Sequence, residues 1–141
     1  MAFISITRLR VRSWRFLPLF LLQSIRAARQ AKKAPGNRSV SLLREAHHVF
    51  WTRTSWDSEA SMKAYILAGV HRQVMRKLLN WCDEAAVAHW THDSADLPTW
   101  QEAHAQVLKV GRLSKVNRPS KAQEEFQIPE PCVTPDAETC F

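Results

Sequence analysis

Apolar and polar positions alternate along "FISITRLRV" (Phe3–Val11), a run rich in β-branched residues, and this predicts a first strand. The period then lengthens. Leu17, Phe20, Leu21, Ser24, Ile25 and Ala28 fall near one side of a helix. Proline is tolerated only in a helix's first turn, so Pro18 puts the helix start near Leu17, and the helix runs to about Lys33. "APGN" (Ala34–Asn37) ends it. Two more alternating runs, Arg38–Ala46 and His47–Trp56, have almost nothing between them, which predicts a hairpin turning near Glu45–His48. Asp57 or Ser58 can cap a second helix, with Glu59 in its first turn, and this helix runs to about Leu67. Gly69 breaks it. A further piece from Val70 to Trp81 spaces Val70, Val74, Leu78 and Trp81 for burial. "EAAVAHW" (Glu84–Trp90) is the fourth strand.

The order βαββαβ predicts an α+β fold of the ferredoxin-like kind, a four-stranded antiparallel sheet with helices on one face. The other face is apolar and needs a cover, for which a second copy of the chain is the common solution. Beyond Trp90, Pro98 can start another helix, Thr99 to about Lys109, packed on the domain or on a partner subunit. From Asn117 the chain is proline-rich and without period. The expected division is a ferredoxin-like domain over 1–92, a helical extension over 93–116 and a disordered tail over 117–141.

Charge adds one feature to this picture. The net charge of +7 is concentrated in residues 1–45, which hold ten Lys/Arg and one acid. Such an end could meet an anionic partner. No basic block interleaved with aromatics appears, and no zinc-finger or RNA-binding signature, so nucleic acid is not an expected partner. Arg8, Arg10 and Arg12 alternate and are expected to form a solvated side of strand one. "FLPLFLL" (Phe16–Leu22) imitates a signal sequence, but seven apolar residues are far fewer than the roughly 20 that span a bilayer. No membrane association is expected. Cys82, Cys132 and Cys140 form no metal or redox motif, and a reducing cytoplasm suits them. Zinc-binding histidine spacings, a nucleophile elbow, a P-loop and a dinucleotide fingerprint are all absent.

The stretch Phe50–Trp90 is more specific. It contains a strand ending in Trp56-Asp57-Ser58-Glu59, a helix with Met62 and Tyr65, and then "AGVHR" (Ala68–Arg72). It resembles the dimeric α+β barrel superfamily that contains the antibiotic-biosynthesis monooxygenase-like proteins. "AGVHR" is similar to a "GGAHR"-like stretch of the spheroidene monooxygenase-like branch. The resemblance implies a homodimer with a ligand pocket between sheet and helices in each subunit. It also implies oxidation of aromatic substrates without a cofactor, or chemistry assisted by haem. Haem-degrading members carry an Asn on the first strand and a Trp and a His on the second helix. Here strand one has Ser5 and Thr7, and the ligand-histidine position falls near Met75. No cofactor is therefore expected, with haem as the alternative.

His71, just past the helix break, is the candidate catalytic group, as acid/base or ligand. Its bland alternative is a helix N-terminal residue facing water or backbone. Strand alternation puts Phe50, Thr52, Thr54 and Trp56 on one side, expected toward the helices. On strand four, Ala86, Ala88 and Trp90 share a side, where the small alanines could leave room for a ligand. Tyr65 and Trp90 complete the expected pocket, with core packing as the alternative for the large aromatics. No metal ligands are expected. The function expected is that of a monooxygenase-like protein acting on or binding a small apolar or aromatic ligand. A non-catalytic binding or interaction module of the same fold is the alternative, and whether the chain is an enzyme stays open. A third reading gives the basic first helix and strand an anionic partner.

Overall fold

A computed structural model describes residues 2–93 and 96–141, with the backbone alone at Val70 and His71. The elements are β1 (Ala2–Val11), α1 (Leu17–Lys33), β2 (Asn37–Glu45), β3 (Val49–Trp56), α2 (Glu59–Ile66), α3 (Gly69–Trp81), β4 (Cys82–His92), α4 (Trp100–Val110), β5 (Arg112–Leu113), α5 (Lys121–Glu124) and β6 (Glu138–Cys140). The sheet runs β5-β4-β1-β3-β2-β6, with every pair antiparallel. Its inner four strands have the ferredoxin-like order that βαββαβ predicts. The sheet has six strands rather than four because β5 and β6 extend its edges. Two- and three-residue strands are too short to leave a period in the sequence.

Local chemistry explains the junctions. Pro18 stands in the first turn of α1. Gly36 ends the following turn at φ 84°, and a Cβ there would collide with Asp57 and Ser61 at the start of α2. The Asp57 amide donates to the Gly36 carbonyl at 2.8 Å, so the end of α1 is tied to the start of α2. The Ser58 hydroxyl caps α2 by accepting from the Ser61 amide. The β2–β3 hairpin turns through a 3-10 turn, Ala46–His48, with His47 and His48 at φ 62° and 66°. Histidine tolerates this left-handed region better than branched residues do.

The two faces of the sheet have different covers. Phe3, Ser5, Thr7 and Leu9 of β1 face α1, α2 and α3. Ile4 and Ile6 face the other way, into a core with Leu43, Trp51, Ala86 and Ala88. That second face is covered by the chain's own α4, through Trp100, Ala103 and Val107, with Ile128 beside them. A capping box at Thr99 and Glu102 starts α4.

Two buried arginines fasten this cover. The Arg53 guanidinium lies 4.4 Å from the Trp100 ring centre and donates to the Pro98 carbonyl, the Ser41 hydroxyl and Glu138. Arg8 pairs with buried Glu84 at 2.7 Å, and Arg10 and the Ser120 hydroxyl also donate to Glu84. Burial raises the Glu84 pKa, but those donors outweigh it and hold the carboxyl below its ordinary value. The solvated arginine side expected on β1 is thus corrected. Arg8 is buried, because Glu84 on the neighbouring strand meets it under the C-terminal segment.

Residues 117–141, expected to be disordered, carry α5 and β6. The Gln123 amide side chain is buried and bonds both the amide and the carbonyl of Ala85. β6 pairs with β2 through Ser41–Cys140 and Leu43–Glu138. Polar anchors of this kind are spaced irregularly and leave no hydrophobic pattern.

Trp100→Ala is expected to lower stability by about 3–5 kcal/mol in urea denaturation, the cost of emptying a core tryptophan site. Trp14, at 72 % exposure, is the control, and Trp14→Ala should fall within about 0.5 kcal/mol of the parent chain.

Candidate functional site

A cavity of about 440 Å³ lies between the sheet and α1, α2 and α3. Strand register builds its floor as two rows. His89, Ser5, Thr54 and Val40 are successive cross-strand neighbours on β4, β1, β3 and β2. Val87, Thr7, Thr52 and Leu42 form the next row. All eight line the cavity. The centre of the floor is four hydroxyls, the β2 end is aliphatic, and the β4 end holds an imidazole.

The walls are apolar. α1 contributes Ser24, Ala27, Ala28 and Ala31, whose small side chains leave the space open. α2 contributes Met62 and Tyr65, and α3 contributes Val74, Met75 and Leu78. Arg112 and Lys115, on β5 and the segment after it, close the β4 side, and both are exposed.

Not every polar group here is available to a ligand. Thr54 Oγ1 accepts from Trp56 Nε1 at 2.9 Å. The Tyr65 hydroxyl donates to the Ala27 carbonyl at 2.9 Å, and burial pushes its pKa up. Tyr65 therefore ties α2 to α1 as a neutral phenol. The hydroxyls of Ser5, Thr7 and Thr52 have no hydrogen-bond partner among the described residues. His89 is half-buried and its pKa lies below the ordinary 6.5, first through burial and then through the Arg112 charge. At neutral pH it presents an uncharged ring that can accept a hydrogen bond or a proton.

The expected site residues distribute as follows. Thr52 and Thr54 are in the floor. Phe50 and Trp56 are on the same helix-facing side, as the alternation predicts, but both are packed. Phe50 lies against Phe20 with ring centres 4.8 Å apart, and fully buried Trp56 lies against Tyr65 at 5.3 Å. Trp90 is on the opposite face, beside the core that α4 covers. Its place in a pocket is corrected: small Ala86 and Ala88 do leave room, and α4 with Trp100 takes it. His71 stands in the first turn of α3, and its side chain is outside the described residues. His89 is the imidazole that sequence reasoning passed over. The signal was present, since antiparallel pairing puts His89 opposite Ser5, on the same side as Thr7. Buried Cys82 has its pKa pushed up to about 12 by burial and by Asp83, which makes it an inert thiol. Among the described residues no group of three His, Cys, Asp or Glu side chains could hold a metal ion.

Solved structures share this architecture. A putative antibiotic biosynthesis monooxygenase from Nitrosomonas europaea superposes with a TM-score of 0.61 at 13% identity, over 67% of this chain and 92% of that one. Rv0793 from Mycobacterium tuberculosis gives 0.60 at 15% identity, over 68% and 100%. A single-site mutant of SnoaB, a cofactor-independent oxygenase from Streptomyces nogalater, gives 0.55 at 16% identity, over 70% and 98%. The chain therefore has the fold of the antibiotic-biosynthesis-monooxygenase-like α+β barrels, the superfamily that Phe50–Trp90 resembles. A family described as a domain of unknown function (DUF3291) matches residues 24–140, and the chain belongs to it. The match takes in α4 and the C-terminal segment as well as β2, β3, α2, α3 and β4, and leaves β1 outside. The curated proteins contain no match to the chain.

The His89 ring protons should titrate below 6.5 in an NMR pH series, and Arg112→Gln should move the midpoint upward. The unfolded chain binds the proton more readily, so His89 costs no stability above the ordinary imidazole value. Stability should fall as pH drops from there toward the folded value. His89→Gln should flatten that part of the profile.

Proposed function

We propose that the chain binds a small apolar or aromatic molecule in the cavity, as a monooxygenase-like protein. The observation that carries this is the set of three floor hydroxyls, those of Ser5, Thr7 and Thr52, that have no partner among the described residues and lie inside aliphatic walls. Ser5, Thr7 and Thr52 can orient a carbonyl or hydroxyl of a ligand whose body lies along Ala28, Met62 and Val74. In an oxidation, neutral His89 is the group placed to take a proton from a phenol or enol held over the floor. The shared fold with an oxygenase described as cofactor-independent supports that chemistry. Haem is the alternative. α3 turns Val74, Met75 and Leu78 toward the cavity and, among the described residues, offers no imidazole there, so an iron ligand would have to come from His89 on the floor or from the Met75 thioether. His71 remains a second candidate base through its position at the start of α3.

A non-catalytic binding role is favoured by one specific observation. No carboxylate hydrogen-bonds His89 among the described residues, so nothing there orients the ring as catalytic histidines are oriented. The homodimer expected from the sequence would have to use another surface, since α4 occupies the sheet face a second copy would cover. Light scattering tests the homodimer, which would show twice the single chain's 16.2 kDa. The cytoplasmic placement is supported by three free cysteines, two of them exposed.

Native mass spectrometry of the purified chain tests the binding reading. An adduct is expected, and Thr52→Phe, which fills the floor, should remove it while circular dichroism stays unchanged. His89→Ala should keep the adduct and abolish turnover in the enzyme case. An adduct that survives Thr52→Phe at parent level would place the ligand elsewhere and sink the proposal.

A further inference from the structure

Two of the three helices that enclose the cavity, α1 and α3, also carry a cationic surface. Residues 14–33 and 69–81 together hold eight Lys/Arg and no Asp or Glu. The helices run side by side in opposite directions. Trp81, at the end of α3, packs with Phe20 and Leu17 near the start of α1. Gly69, at the start of α3, sits against Gln30 near the end of α1. Their outer sides therefore form one continuous face.

On that face Arg26, Arg29, Lys32, Lys33, Arg72 and Arg76 are exposed. None of them has a salt bridge among the described residues; the ion pairs lie on the sheet, on α2 and on α5. Of the acids at the start of neighbouring α2, Glu59 pairs with Lys63, while Asp57 accepts from the Ser61 hydroxyl and keeps its charge.

Apolar side chains stand among these cations. Leu19 and Leu22 on α1 are each about half exposed. Ile25 and Met75 are also exposed, and Met75 lines the cavity as well. Leu19, Leu22, Arg26 and Arg29 follow helical spacing on one stripe. Aliphatic side chains held out among unpaired cations suit an interface with anionic headgroups outside and acyl chains beneath. They gain nothing from the hydrophilic backbone of a nucleic acid. No helix among the described residues is long and apolar enough to cross a membrane, so any such association is peripheral.

We propose that the α1–α3 face docks on an anionic lipid bilayer, with Arg26, Arg29 and Arg72 at the headgroups and Leu19 and Leu22 inserted below them. The docking brings the Met75 side of the cavity to the membrane surface. It stands apart from the identity of the cavity's ligand and replaces the expectation of no membrane partner.

Co-sedimentation of the full chain with two kinds of vesicle tests this. Binding is expected to phosphatidylcholine mixed with phosphatidylglycerol and not to phosphatidylcholine alone. Each Lys/Arg near such a surface is worth about a fivefold change in affinity, so Arg26→Gln with Arg29→Gln should weaken binding roughly 25-fold. Leu19→Ser with Leu22→Ser keeps every charge and should also weaken binding severalfold. All four positions are exposed, and circular dichroism checks that the variants fold. Equal sedimentation with both vesicle types, or none with either, overturns the proposal. Unchanged binding by the serine variant, together with tight binding to duplex DNA, would assign the face to nucleic acid and overturn it as well.

Discussion

An antiparallel sheet with large side chains on one face and a cavity on the other holds its shape only if the first face stays dry. Here α4 keeps it so. Trp100, Ala103 and Val107 lie on Ile4, Ile6, Trp51 and the two alanines of β4. Arg53 is the pin. Its guanidinium stacks on Trp100 and reaches the backbone just before α4, and it also reaches Glu138 on β6. A buried guanidinium without those acceptors would be costly, so sheet, helix and last strand hold together or separate together. Side chains alternate along each strand, so the residues under α4 are interleaved with those of the cavity floor. Ile4 and Ile6 alternate with Ser5 and Thr7, and Ala86 and Ala88 with Val87 and His89. The apolar burial on one face is what lets the other carry hydroxyls and an imidazole without dissolving the sheet.

The space above that floor comes from side-chain size. α1 passes over it with Ala27, Ala28 and Ala31, while Tyr65 spans to the Ala27 carbonyl and keeps the helices apart at a fixed distance. Trp56 fills the volume behind Tyr65. Large aromatics therefore frame the cavity from outside it, and small or hydroxylated residues line it. The fold is shared at 13% identity with a protein described as a putative monooxygenase and at 16% with an oxygenase, a level that speaks for backbone architecture and leaves the chemistry to the side chains in place.

Much of this was legible in the chain. Period and punctuation locate β1, α1, β3, the break at Gly69 and the start of α4 within a residue or two, because burial of one face imposes period two or 3.6. The helix-facing side of β3 is also legible, and with it Thr52 and Thr54. The opposite side of β4 was harder, since Ala86 and Ala88 read equally well as room for a ligand and as room for a helix. Only pairing with β1 decides it, and pairing is a long-range property. The C-terminal segment was illegible for a different reason. Its hold on the sheet is through single anchors such as Gln123 and Glu138, and through strands of two and three residues. Arg8 misleads in the same way, because nothing near it in sequence announces Glu84.

Those short strands have a bearing on the protein's behaviour among its own copies. Exposed strand edges present unpaired amides and carbonyls to any neighbouring chain, and long bare edges seed sheet-to-sheet polymerisation. β5 lies along β4 on one side and β6 along β2 on the other, each covering the middle of a much longer strand. Arg112 on one capping strand adds charge where a stranger would have to pair. The segment that dries the core thus also acts as a guard against aggregation, at both margins of the sheet.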